Sequence, residues 1–156
     1  MNLSPDDVAI RVAVRADLDA LTALDHECFD ELERWSHRAW RGEVESDALV
    51  LVATADQQIV AAASFHVAGE AAELFSVMTA PPWRGVGVAT LLLARGFAWA
   101  VSRGATQMLL EVRVGNQAQG LYADLGFKPL YQRTNYYGPG LDAVVMAREL
   151  NGGTDE

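Results

Sequence analysis

The stretch "MTAPPWRGVGVATLLL", residues 78–93, places two glycines two apart, after an arginine and before a long apolar run. The segment before it, "AELFSVMTA" (72–80), reads as a strand, and Pro81 and Pro82 end it because neither can donate to a ladder. From Gly85 the apolar period changes: Val88, Leu91, Leu92, Arg95, Phe97 and Trp99 belong to a helix running to about Arg103. Next comes "ATQMLLEVRV", a strand again. Strand, helix, strand implies one right-handed parallel crossover. Glycine costs conformational entropy, so two of them here mark either a tight turn or a close approach of backbone to something else.

Outward from this centre the pattern is regular. In "VAIRVAV" (8–14), Ile10, Val12 and Val14 share one face at period two, which is a strand. Asp17 is placed to cap a helix in which Leu18, Leu21, Leu24 and Cys28 fall on one side. Ser36 opens a second, shorter helix with Trp40 and Val44 on one face. "ALVLVATA" (48–55), "ADQQ" and "IVAAASFHVAG" read as a hairpin of buried strands, and "AGEA" turns the chain into the strand 72–80. After the crossover, "NQAQGLYADLG" is a short helix closed by Gly126, and "FKPLYQRTNYY" and "DAVVMAREL" are two more strands. The order is β-α-α-β-β-β-α-β-α-β-β. The class is α/β, or α+β in a stricter scheme: a mixed, mostly antiparallel sheet of about seven strands flanked by about four helices. Residues 1–150 are expected to form a single domain and 151–156 a disordered tail.

Bulk properties narrow the function classes. The chain has 156 residues, 51% hydrophobic and 21% charged, an ordinary globular composition. Twelve basic against 21 acidic side chains give a net charge of −9, which argues against nucleic acid as the main ligand and suits a basic partner. Cys28 is alone, so no internal disulfide forms, and His26, His37 and His66 are scattered with no metal-site spacing. "MNLSPDDVAI" lacks the features of a secretory signal, and "VATLLLARGFAWAV" contains Arg95 and is too short for a membrane span. The expectation is a cytoplasmic protein, monomer or weak dimer, with no metal and no membrane partner.

The glycines lie where a strand ends and a helix begins. There the unpaired helix N–H groups point outward together and the macrodipole favours an anion. Gly85 and Gly87 remove the Cβ atoms that would hold a phosphate away, Arg84 adds charge, and the Thr90 hydroxyl lies within reach of the first turn. Three phosphate-binding readings compete with a plain tight turn. A Walker loop needs a Lys that "GVGVAT" lacks. A dinucleotide fingerprint follows the first strand of a parallel fold, whereas this loop follows the fourth of a mixed one. The pyrophosphate loop of a coenzyme A acyltransferase, Arg/Gln-x-x-Gly-x-Gly/Ala, is satisfied by "RGVGVA" (84–89).

Five segments together, "RGVGVA" (84–89), "LLEVRVGN" (109–116), "LYADLGF" (121–127), "RTNYY" (133–137) and "DAVVM" (142–146), resemble the GNAT superfamily of N-acetyltransferases. Within it they are similar to the RimI branch, N-terminal alanine acetyltransferases of ribosomal proteins. The resemblance implies acetyl-CoA in a split between the strands 72–80 and 105–114. Val77, Met78 and Thr79 would then bond the pantetheine arm through their backbone, one N–H polarising the thioester carbonyl. Arg84, Gly85, Val86, Gly87, Val88, Ala89 and Thr90 would cradle the pyrophosphate. Glu111 becomes the general base, with Glu73 in reserve, and Tyr122 the general acid toward the departing thiolate. A carboxylate amid "QMLLEVRV" needs a partner or a task, and an ion pair with Arg113 or another arginine is the plain structural explanation. For Tyr122 the plain explanation is packing beside Leu121 and Leu125.

Two departures from the family pattern stand out. Asn116 precedes Tyr122 by six residues where the family has seven, so either Asn116 or Gly115 stands at the family's cofactor-contacting Asn position. Arg34-Trp35 replaces a common Pro-Trp at the substrate entrance, which makes Trp35 a packing residue or a substrate contact. Arg133, Tyr136, Tyr137 and Asp142 fall on the final hairpin, which walls the peptide cleft in this branch; strand alternation puts Tyr136 and Tyr137 on opposite faces. The implied reaction is direct acetyl transfer to a protein N-terminal α-amine, alanine preferred, on a basic ribosomal protein drawn in by the negative charge. A small amine or a lysine side chain is the alternative acceptor, and a non-catalytic CoA sensor the alternative class.

Overall fold

The computed structural model describes residues 2–150, so the disorder expected of 151–156 lies outside the described residues. The strands are β1 (Ala9–Val12), β2 (Leu49–Ala55), β3 (Gln58–Ala68), β4 (Ala71–Thr79), β5 (Gln107–Arg113), β6 (Lys128–Arg133) and β7 (Ala143–Glu149). The helices are α1 (Leu18–Cys28), α2 (His37–Glu45), α3 (Val88–Ser102) and α4 (Ala118–Asp124). Short 3-10 turns cover Pro5–Asp7, Arg15–Asp17 and Pro81–Trp83. This is the mixed α/β arrangement and element order expected.

The strands follow the order β1-β2-β3-β4-β5-β7-β6. β4 and β5 pair in parallel, from Ala71↔Gln107 to Leu74↔Leu110, and α3 connects them. β1–β2, β2–β3, β5–β7 and β6–β7 are antiparallel. The last hairpin docks by its second strand, and composition explains why. Ala143 to Met146 of β7 are all buried, as a central strand requires, while every residue of β6 is exposed. Pro129 in β6 cannot donate to a further ladder, which suits an edge.

The described residues fall into two compact units, 2–66 with 76–96, and 67–75 with 97–150. In the first, Leu18, Leu21 and Leu24 of α1 and Trp40 of α2 pack on Val50, Val52, Ala62 and Met78. The β2–β3 hairpin turns through Asp56 and Gln57, both at positive φ (51° and 66°), the pairing that matches strand twist in a two-residue turn. β1 forms as the sequence pattern indicated, with Val12 and Val14 exposed and Ala13 buried just past its end. One expectation fails here. Asp17 does not cap α1: its carboxylate takes both Arg11 guanidinium nitrogens (2.8 and 2.9 Å) and the Val14 N–H (2.7 Å), closing the 3-10 turn before the helix. That arginine holds the Asp17 carboxyl below its ordinary value.

In the second unit β5 alternates cleanly: Met108, Leu110 and Val112 are buried, while Leu109, Glu111 and Arg113 are half-buried on the opposite face. Phe127 (2% exposed) anchors the packing, with Phe97 and Tyr122 rings each 6.0 Å away. Arg148 stacks over Phe97 at 4.3 Å and donates to the Leu125 carbonyl (2.8 Å), tying β7 to the end of α4.

Candidate functional site

Both units carry candidate site residues. In the first, β4 ends at Thr79 and the 3-10 turn Pro81–Trp83 leads to the glycine pair. Gly85 and Gly87 sit at φ 78° and 98°, a left-handed backbone closed to most side chains. A Cβ on Gly85 would meet nothing within 4 Å, whereas one on Gly87 would press on Pro5 Cγ at 3.3 Å. The glycines are there for backbone shape, and α3 begins at Val88, three residues later than the sequence pattern indicated. At this end Leu91 N donates to Gly87 O (3.2 Å), so the N–H groups of Val88, Ala89 and Thr90 lie in the first turn, which has no intrahelical acceptor. Val88 is buried, Val86 and Ala89 are half-buried, and Thr90 is exposed. The Arg84 side chain folds back, its Nε donating to the Thr79 carbonyl at 2.9 Å, which also accepts from the Cys28 thiol (3.4 Å). Burial pushes that thiol's pKa up, so it is a poor nucleophile. Met78 buries its side chain in the core (3% exposed) and Val77 is half-buried, leaving backbone as what the strand end can offer.

The segment between α1 and α2 is anchored by a residue that the sequence reading passed over. Asp25 is 0% exposed, and its carboxylate accepts from the Trp35 N–H (2.9 Å) and from Trp40 Nε1 (3.0 Å). The Trp35 and Trp40 rings lie 4.6 Å apart. Trp35 is therefore tied into the packing, half-buried. The signal was present: Asp25 falls on the apolar face with Leu18, Leu21 and Cys28. Burial raises the Asp25 pKa against the lowering effect of both hydrogen bonds. A raised folded pKa adds stability below the unfolded value, and that stability is lost as pH rises through the folded one. In Asp25→Asn this contribution disappears. The melting temperature of the variant relative to the native chain should therefore climb as pH rises above about 4, the ordinary carboxyl value, which paired thermal melts would register.

A second polar cluster joins Glu43 of α2 to Ser64 and His66 of β3. The Ser64 hydroxyl donates to Glu43 Oε2, and His66 Nε2 lies 2.6 Å from the same oxygen.

In the second unit Glu111 projects from the open face of β5 into a recess lined by Glu73, Leu109, Leu110, Tyr131, Arg133 and Val145. Its partner is Arg133, not the nearby Arg113: Nη1 stands 2.8 Å from Oε2. The Tyr136 hydroxyl donates to Oε1 at 3.4 Å, and the Arg133 guanidinium lies over the Tyr136 ring at 4.4 Å. Desolvation first, then the Glu111 charge, raises the Tyr136 pKa, so the phenol keeps its proton. Arg113 lies 5.9 Å from the Tyr137 ring instead.

Tyr136 and Tyr137 correct the strand reading of 127–137. β6 stops at Arg133, and the chain turns through Asn135 at φ 57°. Asp142 accepts from the Asn135 N–H (2.8 Å), and Asn135 Oδ1 from Gly140 N (2.7 Å). Off the strand, alternation no longer holds, and the two tyrosine rings meet edge to face at 5.0 Å. Tyr122 on α4 is 7% exposed. Asn116 accepts from the Ala118 N–H (2.8 Å), closing a turn at the start of α4, while Gly115 at φ 87° donates to Gln119 Oε1 (2.8 Å). Among the described residues no group of His, Cys, Asp and Glu could hold a metal ion, and no helix is long and apolar enough to cross a membrane.

Residues 15–127 match the acetyltransferase (GNAT) family. The [ribosomal protein bS18]-alanine N-acetyltransferase of Haemophilus influenzae is 30% identical over 140 residues, covering 83% of this chain and 96% of that protein. The crystal structure of the ribosomal-protein-S18-alanine N-acetyltransferase from Escherichia coli superposes with a TM-score of 0.83 at 26% identity, over 96% of this chain and 99% of that one. The PaiA N-acetyltransferase of Thermoplasma acidophilum, solved in complex with coenzyme A, shares the fold, with a TM-score of 0.78 and 20% identity over 91% of this chain and 98% of that one. The chain belongs to the acetyltransferase (GNAT) family and is an N-acetyltransferase.

Proposed function

We propose that the chain transfers acetyl from acetyl-CoA directly to the N-terminal α-amine of a protein, alanine preferred, and that its acceptor is a basic ribosomal protein in the cytoplasm. The single observation that carries the reading is Glu111: a carboxylate on an open sheet face, in a recess lined by Arg133 from the end of β6, with the Tyr136 hydroxyl from the following loop donating to it. The bS18-alanine N-acetyltransferase relatives support this acceptor class. The left-handed glycine pair at the start of a 15-residue helix suits the diphosphate of the CoA that this family uses. Gly85 through Thr90, with Arg84 once it leaves the Thr79 carbonyl, would hold that diphosphate, and the backbone of Val77, Met78 and Thr79 the pantetheine arm. Acetyl-CoA supplies an activated acetyl group.

The chain's own residues handle the protons. Glu111 accepts the proton of the attacking amine. The task is modest, because an α-amine with pKa near ~8 needs only ~1 kcal/mol to be free at neutral pH, less than a lysine near ~10.4. Tyr122 donates its phenolic proton to the departing sulfur. Asn116, already engaged at the start of α4, contributes a backbone turn; Tyr136 and Tyr137 are acceptor contacts, and Trp35 is proposed as a further one. The chain acts through a single domain spanning residues 1–150.

Gly87→Ala is expected to weaken CoA binding about tenfold by calorimetry, since a left-handed side chain costs ~1–3 kcal/mol or forces the loop to another shape. Unchanged affinity would remove the loop from the cofactor site. The acceptor is tested by mass spectrometry of peptides that begin with Ala, Ser, Met or Gly and carry internal lysines, beside N-terminally blocked copies. Acetyl on free alanine N-termini and none on blocked copies supports the reading. Acetyl on lysine alone, which the Arg34-Trp35 entrance keeps in view, replaces it with a side-chain acetyltransferase. No transfer, with CoA still bound, sinks the peptide acceptor altogether.

A further inference from the structure

We infer that Arg133 is a built-in occupant of the amine subsite: its guanidinium holds, against Glu111, the place that an acceptor's ammonium has to take. The inference rests on the reading of Glu111 as the residue that receives the amine. Both carboxylate oxygens are engaged by groups from the end of β6 and the loop after it, Oε2 by Arg133 Nη1 at 2.8 Å and Oε1 by the Tyr136 hydroxyl at 3.4 Å. The guanidinium also lies over the Tyr136 ring at 4.4 Å. Arg113 is two residues from Glu111 on the same strand face, yet it lies by Tyr137. The arginine that reaches Glu111 thus comes from the end of β6 and not from the strand that bears the base.

Charge and exposure decide what this contact can do. Arginine keeps its proton at any working pH, so the resting carboxylate is paired with a permanent cation. An arriving ammonium is a cation that can exchange with it. A neutral acceptor, such as a hydroxyl or a thiol, brings no charge to replace the one it displaces and leaves a half-buried carboxylate unpaired. The contact therefore discriminates cationic acceptors from neutral ones. It is a weak barrier and not a lock, because the Arg133 side chain is 47% exposed and Glu111 17%. Exposed pairs of this kind shift equilibria by up to about fivefold. The guanidinium returns to Glu111 once the product, an uncharged amide, leaves.

The test is Arg133→Gln, compared with the native chain on whichever amine the chain acetylates, at saturating acetyl-CoA. Removing the competitor is expected to lower the KM for the amine about three- to fivefold. Added ethylguanidinium should then inhibit Arg133→Gln competitively against the amine, and the native chain much less. Arg133→Lys, which keeps the charge without the guanidinium, is expected to fall between. A KM that rises in Arg133→Gln would make Arg133 an ordinary acceptor contact and overturn the inference. So would a fall in kcat with KM unchanged, or equal guanidinium inhibition of both proteins. If Arg133→Gln melts early, the KM of Arg133→Lys alone decides, a value at or above the native one counting against. Because the acceptor is whatever amine is turned over, failure to acetylate peptide N-termini overturns the proposed function and leaves this comparison intact.

Discussion

Glu111→Gln is expected to lower kcat/KM for amine acetylation by about 10²–10⁴-fold near neutral pH, the range for loss of a general base. Glutamine has the size of glutamate and keeps an acceptor oxygen, but it cannot take a proton from the attacking nitrogen. The fold should survive, since the ion pair that is lost joins Glu111 to a half-exposed Arg133, and such pairs contribute only about 0.2–1 kcal/mol. CoA binding should persist by calorimetry, which separates a missing base from a missing cofactor site. The deficit should also shrink as pH rises past about 8, where the α-amine is already free without help. Activity within a fewfold of native would place the base elsewhere. Glu73, which lines the same recess, would then be the residue whose Gln variant fails.

Gly96→Ala is expected to destabilise the chain by about 1–3 kcal/mol, although an alanine in mid-helix ordinarily gains about 1 kcal/mol over glycine. The sign is decided by Phe65. A Cβ built on Gly96 overlaps the Phe65 ring, whose Cδ2 would stand at 2.7 Å with Cε2 and Cζ nearer still. Phe65 is 0% exposed, so the ring has no free space to swing into. At roughly 2–4 °C per kcal/mol for a domain of this size, the melting temperature should fall by about 3–10 °C. Phe65→Leu in the same chain should recover part of the loss, a coupling that a double-mutant cycle would measure. A Gly96→Ala protein as stable as the native chain would show that α3 can move off β3, contrary to the packing described here.

The sequence by itself determined what is local. Period and punctuation fixed the element order, the β2–β3 hairpin around Asp56-Gln57, the breaks at Pro81-Pro82 and the glycine pair before α3. Each of these follows from backbone preferences carried by a few adjacent residues. The five short segments that resemble the GNAT superfamily were enough to place the family and to single out Glu111 and Tyr122. What lay beyond reach depended on partners distant in the chain. Which arginine pairs with Glu111 was decided by β7 inserting between β5 and β6, so that Arg133, 22 positions away, faces the carboxylate. Asp17 looked like a cap until Arg11 and the 3-10 turn claimed its oxygens. Tyr136 and Tyr137 looked like strand neighbours until Asn135, held by Asp142, turned the chain one residue before them. Asp25 and Gly96 show the same limit, one buried because two tryptophan N–H groups require an acceptor, the other small because a phenyl ring occupies the space its side chain would need. Local preference sets which elements form; which side chains meet is settled by how those elements pack, since burial and exclusion act on neighbours in space rather than in sequence.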